Sequence, residues 1–202
     1  GVAQNKAEAA KWYKKAAEQG DANAQNSLGY CYNNGEGVEK NSAKAVEWFR
    51  RSAENGNADA QFNLGVCYAN GKGVEKDSAK AVEWYKKAAE QGQDSAQCNL
   101  GYCYKNGIGV EKDVIKATEW YQKSAEQGNC TAQYNLGCCY ANGEGVAQNK
   151  ATAVKWYQKA AEQNYANAQY NLGFCYEKGL GGLSRSKKEA CLLYTSPSPR
   201  DR

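Results

Sequence analysis

The chain has 202 residues, a formal net charge of +4 and no histidine. Mean hydropathy is −0.85, and no apolar run approaches the roughly 18 residues that a membrane span needs, so no membrane-spanning segment is expected. The lack of histidine removes His-based general acid–base catalysis, Ser-His-Asp triads and His-ligated metals together.

The positive charge sits at one end. Five of the 26 bases and two of the 22 acids lie after residue 182. The body is therefore near neutral, with its signs interspersed, and offers no basic strip to a phosphate backbone. No nucleic-acid partner is expected.

Displaced by 36 residues, the sequence coincides with itself. Trp12, Trp48, Trp84, Trp120 and Trp156 mark the period, as do Leu-Gly pairs from Leu28-Gly29 to Leu172-Gly173. A Gly-x-Gly loop closes each copy, from Gly35/Gly37 to Gly179/Gly181. The chain opens inside a copy, at a second helix capped by Asn5 and ended by Gly20. A first helix follows over about Ala22–Asn33, with Ala24, Gln25, Leu28 and Tyr32 at helical spacing as its buried stripe. Asp21, Asn57 and Asn129 stand at N-cap positions of the first helices.

The second helix of that copy is predicted over about Ser42–Asn55. Ala45, Trp48, Phe49, Ser52 and Ala53 form its apolar face. Its N-cap position holds Asn5, Asn41, Asp77, Asp113 and Asn149 in successive copies. Gly56, Gly92 and Gly128 end it, and Asn164 does so in the last copy, each tolerating a left-handed backbone. The Gly at position 29 and its equivalents lies inside a helix at a cost of about 1 kcal/mol against Ala. A backbone or ring pressing on it would explain its recurrence. These features predict an all-α chain, an α-solenoid of tandem 36-residue helix–loop–helix repeats in which stacking supplies the core.

The pattern weakens near the end. Gly182 stands where Val is expected, a last helix begins at about Ser186, and Pro197 and Pro199 break it. Residues 191–202 resemble translated sequencing-adapter sequence and are read as non-native. The organisation is thus a repeat array over 1–182, about five repeats incomplete at both ends, and a degenerate or non-native tail over 183–202. The chain is read as a fragment.

Nine cysteines are present. Cys31, Cys67, Cys103, Cys139 and Cys175 share one repeat position and read as small buried apolar residues. Helix axes roughly 8–10 Å apart do not favour bridges between them, and there is no C-x-x-C pair. Unpaired thiols in each repeat suggest a reducing, cytoplasmic setting. The Gly-x-Gly loops lack the Lys-Ser/Thr and strand context of a phosphate cradle. Glu47–Arg51, Glu83–Lys87 and Glu119–Lys123 are spaced as i,i+4 ion pairs on a solvated face. No cofactor or metal is implied.

The run Ala58-Asp59-Ala60-Gln61, Leu64-Gly65, Tyr68, Gly71-Lys72-Gly73-Val74, then Lys80-Ala81, Trp84-Tyr85 and Ala88-Ala89, resembles the Sel-1-like repeat family, relatives of tetratricopeptide repeats. The resemblance covers residues 1 to about 182. It implies a right-handed superhelix with a concave binding face and an adaptor or scaffold role. Some secreted members carry a regular Cys pair in each repeat, which this chain lacks, and that weakens any transfer of their penicillin-binding behaviour.

On the first helices, the positions equivalent to 26 and 30 point away from the buried stripe and vary most. They hold Asn26/Tyr30, Phe62/Val66, Cys98/Tyr102, Tyr134/Cys138 and Tyr170/Phe174. Aromatic side chains not needed by a core are typical interface anchors; the alternative is packing on the next repeat. Beside them runs a row of Asn63, Asn99, Asn135 and Asn171, able to grip a peptide backbone or to bond within the scaffold. The candidate partner-binding set is Tyr30, Phe62, Asn63, Asn99, Tyr102, Tyr134, Asn135, Tyr170, Asn171 and Phe174. The expected function is a non-enzymatic protein–protein interaction scaffold holding a peptide or partner helix. The alternatives are a β-lactam-binding or hydrolase-like activity and an architectural spacer. Self-association through uncapped repeat ends is a further expectation.

Overall fold

The computed structural model describes residues 2–194, without the side chains of 2–4, 192 and 194. Pro197 and Pro199, and most of the adapter-like string, lie outside the described residues.

Among the described residues there are eleven helices and no strand. In chain order they are α1 (Val2–Glu18), α2 (Ala22–Asn34), α3 (Ser42–Glu54), α4 (Ala58–Asn70), α5 (Ser78–Glu90), α6 (Asp94–Asn106), α7 (Val114–Glu126), α8 (Cys130–Asn142), α9 (Lys150–Glu162), α10 (Ala166–Lys178) and α11 (Lys187–Tyr194). They fall into two compact units: residues 1–96 with 108–111, and residues 97–107 with 112–202. In the first unit α1 packs on α2, α2 on α3, α3 on α4 and α4 on α5; in the second α7 packs on α8, α8 on α9, α9 on α10 and α10 on α11. The chain is an α-solenoid, and within each unit these consecutive helices pack in sequence.

Local chemistry sets the boundaries. Asp21, Asn57 and Asn129 accept the N–H of Ala24, Ala60 and Ala132 at 2.6, 2.8 and 3.0 Å. Asn41, Asp77, Asp113 and Asn149 do the same for the second helices. Gln93, a residue not expected as a cap, accepts the Ala96 N–H at 2.6 Å through Oε1. Gly20, Gly56, Gly92 and Gly128 turn left-handed after the second helices, and Asn164 joins them at φ 61°.

Asn5 is a correction: it lies inside α1, which runs from Val2. The N–H groups of Asn41, Asp77, Asp113 and Asn149 are each tied to a Tyr carbonyl nine residues earlier, as in Asn41 N–H to Tyr32 O at 2.8 Å. Among the described residues no such tie is seen at Asn5, and the backbone there is helical.

The core follows the expected stripes with one substitution of roles. Ala24, Gln25, Leu28 and Cys31 are buried, as are Ala45, Val46, Phe49, Ser52 and Ala53, while Tyr32 and Trp48 are half-buried. The buried glutamines form a ladder. Gln25, Gln61, Gln133 and Gln169 donate to the carbonyls of Ala17, Ala53, Ala125 and Ala161 at 3.1–3.4 Å. Gln25, Gln61, Gln97 and Gln133 accept from Asn55, Gln91, Gln127 and Gln163, each 30 residues on. A buried amide satisfied on both sides ties a first helix to the helices before and after it.

The second glycine of each loop is a joint between repeats. A Cβ on Gly73 would sit 2.1 Å from the Ser42 carbonyl oxygen, and one on Gly145 2.1 Å from that of Val114. These loops thus rest on the first turn of the preceding second helix.

Candidate functional site

The first helices present the varied positions on one face, which can be followed in each unit separately. In the first unit, Tyr30 is 43 % exposed while its ring stands edge-on to Phe49 at 5.5 Å. Its hydroxyl donates to Asn63 Oδ1 at 3.0 Å, and Asn63 Nδ2 donates to Asn26 Oδ1 at 3.0 Å. Asn63 is buried, so here the Asn row bonds α2 to α4. Phe62 is half-buried and packs on Tyr85 at 6.0 Å between ring centres.

In the second unit, Tyr102 and Tyr170 are 53 % and 63 % exposed, and Phe174 is 43 % exposed. Tyr134 is half-buried against Tyr157 at 6.0 Å and Tyr165 at 5.4 Å. Burial, and then the neighbouring Cys138, push the Tyr134 phenol up to about 12, against a hydrogen bond from Asn171. Asn99, Asn135 and Asn171 are half-buried. The candidate set therefore divides: Tyr30, Tyr102, Tyr170 and Phe174 offer surface, while Phe62, Asn63 and Tyr134 are largely engaged by the scaffold.

The cysteines are built as core. Burial pushes the thiols of Cys31, Cys67, Cys139 and Cys175 up and that of Cys103 up to about 11. They are protonated near neutral pH and poor nucleophiles. No described cysteine is in a disulfide, and among the described residues no cluster of three or more His, Cys, Asp or Glu is placed to hold a metal. Among them, too, no helix is long and apolar enough to cross a membrane.

The expected helix-surface ion pairs are replaced. Arg51, Lys87 and Lys123 lie over the rings of Trp48, Trp84 and Trp120 at 4.7, 4.2 and 4.2 Å instead of reaching Glu47, Glu83 and Glu119. The rings are one turn away on the same side, half-buried, and hold the aliphatic stems as well as the charge. A pair the sequence reading missed links repeats: Lys105 Nζ meets Glu144 Oε2 at 2.7 Å. Another missed residue is Tyr165, whose signal was its departure from Asn or Asp at an N-cap position; its side chain makes no cap bond.

The family described as Sel1 repeat matches residues 1–21, 22–57, 58–93, 94–129, 131–165 and 166–196. The fold is similar to that of a protective antigen of uropathogenic Escherichia coli displaying an SLR fold, with 42 % identity and TM-score 0.87 over 92 % of this chain. The chain spans 39 % of that protein's length. It is similar to a Sel1 repeat protein from Oxalobacter formigenes, at 40 % identity and TM-score 0.83, over 87 % of this chain and 70 % of the other. Helicobacter pylori cysteine rich protein B is more distant, at 28 % identity and TM-score 0.52, over 65 % of this chain and 95 % of that one. No curated protein matches. With six matched repeats across nearly its whole length and neighbours built the same way, the chain belongs to the Sel1 repeat family.

Proposed function

We propose that the chain holds a peptide or partner helix on the face presented by its first helices, as part of an assembly scaffold. Sel1 repeat proteins are generally protein–protein interaction scaffolds and generally not enzymes. The observation that supports the finer reading is the exposure of Tyr102 and Tyr170, 53 % and 63 %, on otherwise well-packed helices. Large rigid aromatics left in water on a preformed surface gain most from a partner that desolvates them. We further propose a reducing, cytoplasmic setting, on the recurrence of a buried thiol at Cys31, Cys67, Cys103, Cys139 and Cys175.

The test is capture of partners from a native lysate by the chain and by a variant carrying Tyr102→Ala and Tyr170→Ala. Phe62 and Tyr134 are left intact because they pack on Tyr85 and Tyr157. A partner kept by the parent and lost by the equally helical variant supports the face. Equal retention by both moves binding elsewhere and overturns it.

A further inference from the structure

Two successive joints of the second unit are lined differently. At the earlier, Lys105 at the end of α6 pairs with Glu144 in the loop after α8. Thirty-six residues on, these positions are Ala141 and Leu180. Instead of an ion pair there is a cleft of about 360 Å³, lined by Ala141, Ala153, Cys175 and Leu180, with Phe174 and Lys150 also on its wall. Such a volume is in the range that accepts one large apolar group.

Tyr157 and Asn171 complete the lining, and a charge stands beside this largely apolar wall. Lys150 is exposed, and its ammonium meets no carboxylate among the described residues. Its field reaches into the cleft, because it opposes burial in setting the Cys175 thiol. Glu177, two residues after Cys175 in the chain, is paired with Lys178 at 2.7 Å. An incoming carboxylate would therefore meet a cation with no carboxylate already on it.

We propose that this cleft takes a large apolar side chain of a partner protein segment whose adjacent residue is acidic, the carboxylate pairing with Lys150. The proposal rests on the reading above that the first-helix face receives protein segments, and it names the chemistry of the segment. The transition from Lys105/Glu144 to Ala141/Leu180 leaves an apolar cleft at one joint where the joint before it carries an ion pair.

The test is a methyl-resonance titration of the full chain, labelled at Ala and Leu, with the blocked hexapeptide Gly-Ser-Phe-Glu-Ser-Gly up to several millimolar. Saturable shifts at the methyls of Ala153 and Leu180 are expected. Exchanging the peptide's Glu for Lys, or its Phe for Ala, should weaken binding at least fivefold. Lys150→Glu should reverse the preference between the Glu and Lys peptides. That variant is expected to fold, since an acid in the first turn suits a helix dipole. Ala141→Lys with Leu180→Glu, which copies the neighbouring ion pair, should abolish the shift at Ala153.

No saturable shift at the cleft, or equal response to the Glu and Lys peptides, would overturn the proposal. So would an equal response to phenylacetate alone, which would mark a small-molecule site. Shifts produced by concentrating the protein without peptide would name a second copy as the occupant and likewise overturn it. If the cleft stays silent while lysate capture still depends on Tyr102 and Tyr170, only the cleft assignment fails. If the cleft responds and capture ignores those tyrosines, the broader face fails instead.

Discussion

The ring of Tyr121 lies where a side chain on Gly101 would have to be: a Cβ built there would stand 2.8 Å from Cδ1 and 3.0 Å from the Ala117 carbonyl oxygen. The same contact recurs between Gly29 and Phe49, Gly65 and Tyr85, and Gly137 and Tyr157. A helical glycine thus sets how closely a first helix approaches the second helix that follows.

Gly101→Ala is expected to destabilise the protein although Ala is the better helix former by about 1 kcal/mol. Overpacking a closed site costs about 1–3 kcal/mol, and Tyr121 is fully buried. Thermal unfolding should show a midpoint lowered by at least ~2 °C. An unchanged or raised midpoint would mean that the ring yields.

Tyr121→Phe is expected to act in the opposite direction. The Tyr121 hydroxyl is buried and meets no hydrogen-bond partner among the described residues, and a buried unsatisfied polar group costs about 1–3 kcal/mol. The equivalent position in an earlier repeat already carries Phe49, buried in the same setting. Denaturant unfolding should move to higher urea, and a move to lower urea would show that the hydroxyl stabilises the core.

Gln133→Ala should destabilise more than Gln163→Ala. Gln133 is buried, donates to Ala125 O at 3.2 Å and accepts from Gln163 at 2.9 Å. Its loss removes two bonds from a buried position and leaves a cavity there, at about 0.5–3 kcal/mol, whereas Gln163 is exposed and water can replace it. Urea unfolding of the two variants side by side gives the comparison, and equal effects would argue against the ladder as a source of stability.

Alkaline pH should loosen the fold. The buried Cys103 thiol is pushed up to about 11 from 9.0, first of all by desolvation. The folded state holds that proton longer than the unfolded state does, so its contribution is whole below pH ~9 and is lost as pH rises toward ~11, by up to about 1.4 kcal/mol per pH unit. Cys103→Ala should flatten this slope in urea melts taken between those limits. A slope unchanged by the substitution would place the loss on other groups.

The helical architecture was legible because repetition turns one chain into several aligned copies. The caps at Asp21, Asn57 and Asn129 and the left-handed Asn164 could be read from residue type alone, since their chemistry is local. The pressure on Gly29 was readable as a need, but its source, Phe49, lies on the next helix. Contacts that depend on how helices meet were not legible in the same way. Gln25 looked like one residue of a stripe, and nothing in its spacing pointed to Asn55 thirty residues on. Arg51 had both Glu47 and Trp48 within reach, and spacing alone does not decide between an exposed ion pair and a half-buried ring. Tyr30 and Phe62 looked alike on the varied face. The structure separates them by exposure, which depends on neighbours that no single repeat contains.

The seating of each loop glycine on the preceding helix has a consequence for how such a chain can change length. Gly145 rests on the Val114 carbonyl as Gly181 rests on that of Lys150, so one docking geometry serves successive joints. Removing residues 130–165 as a block would bring Asn129 to Ala166 and offer the loop at Gly181 the same kind of seat it has now. Units of 36 residues behave like coaches with a common coupling: insertion or loss in whole periods leaves every coupling matched, while a change of any other length leaves one without its fit.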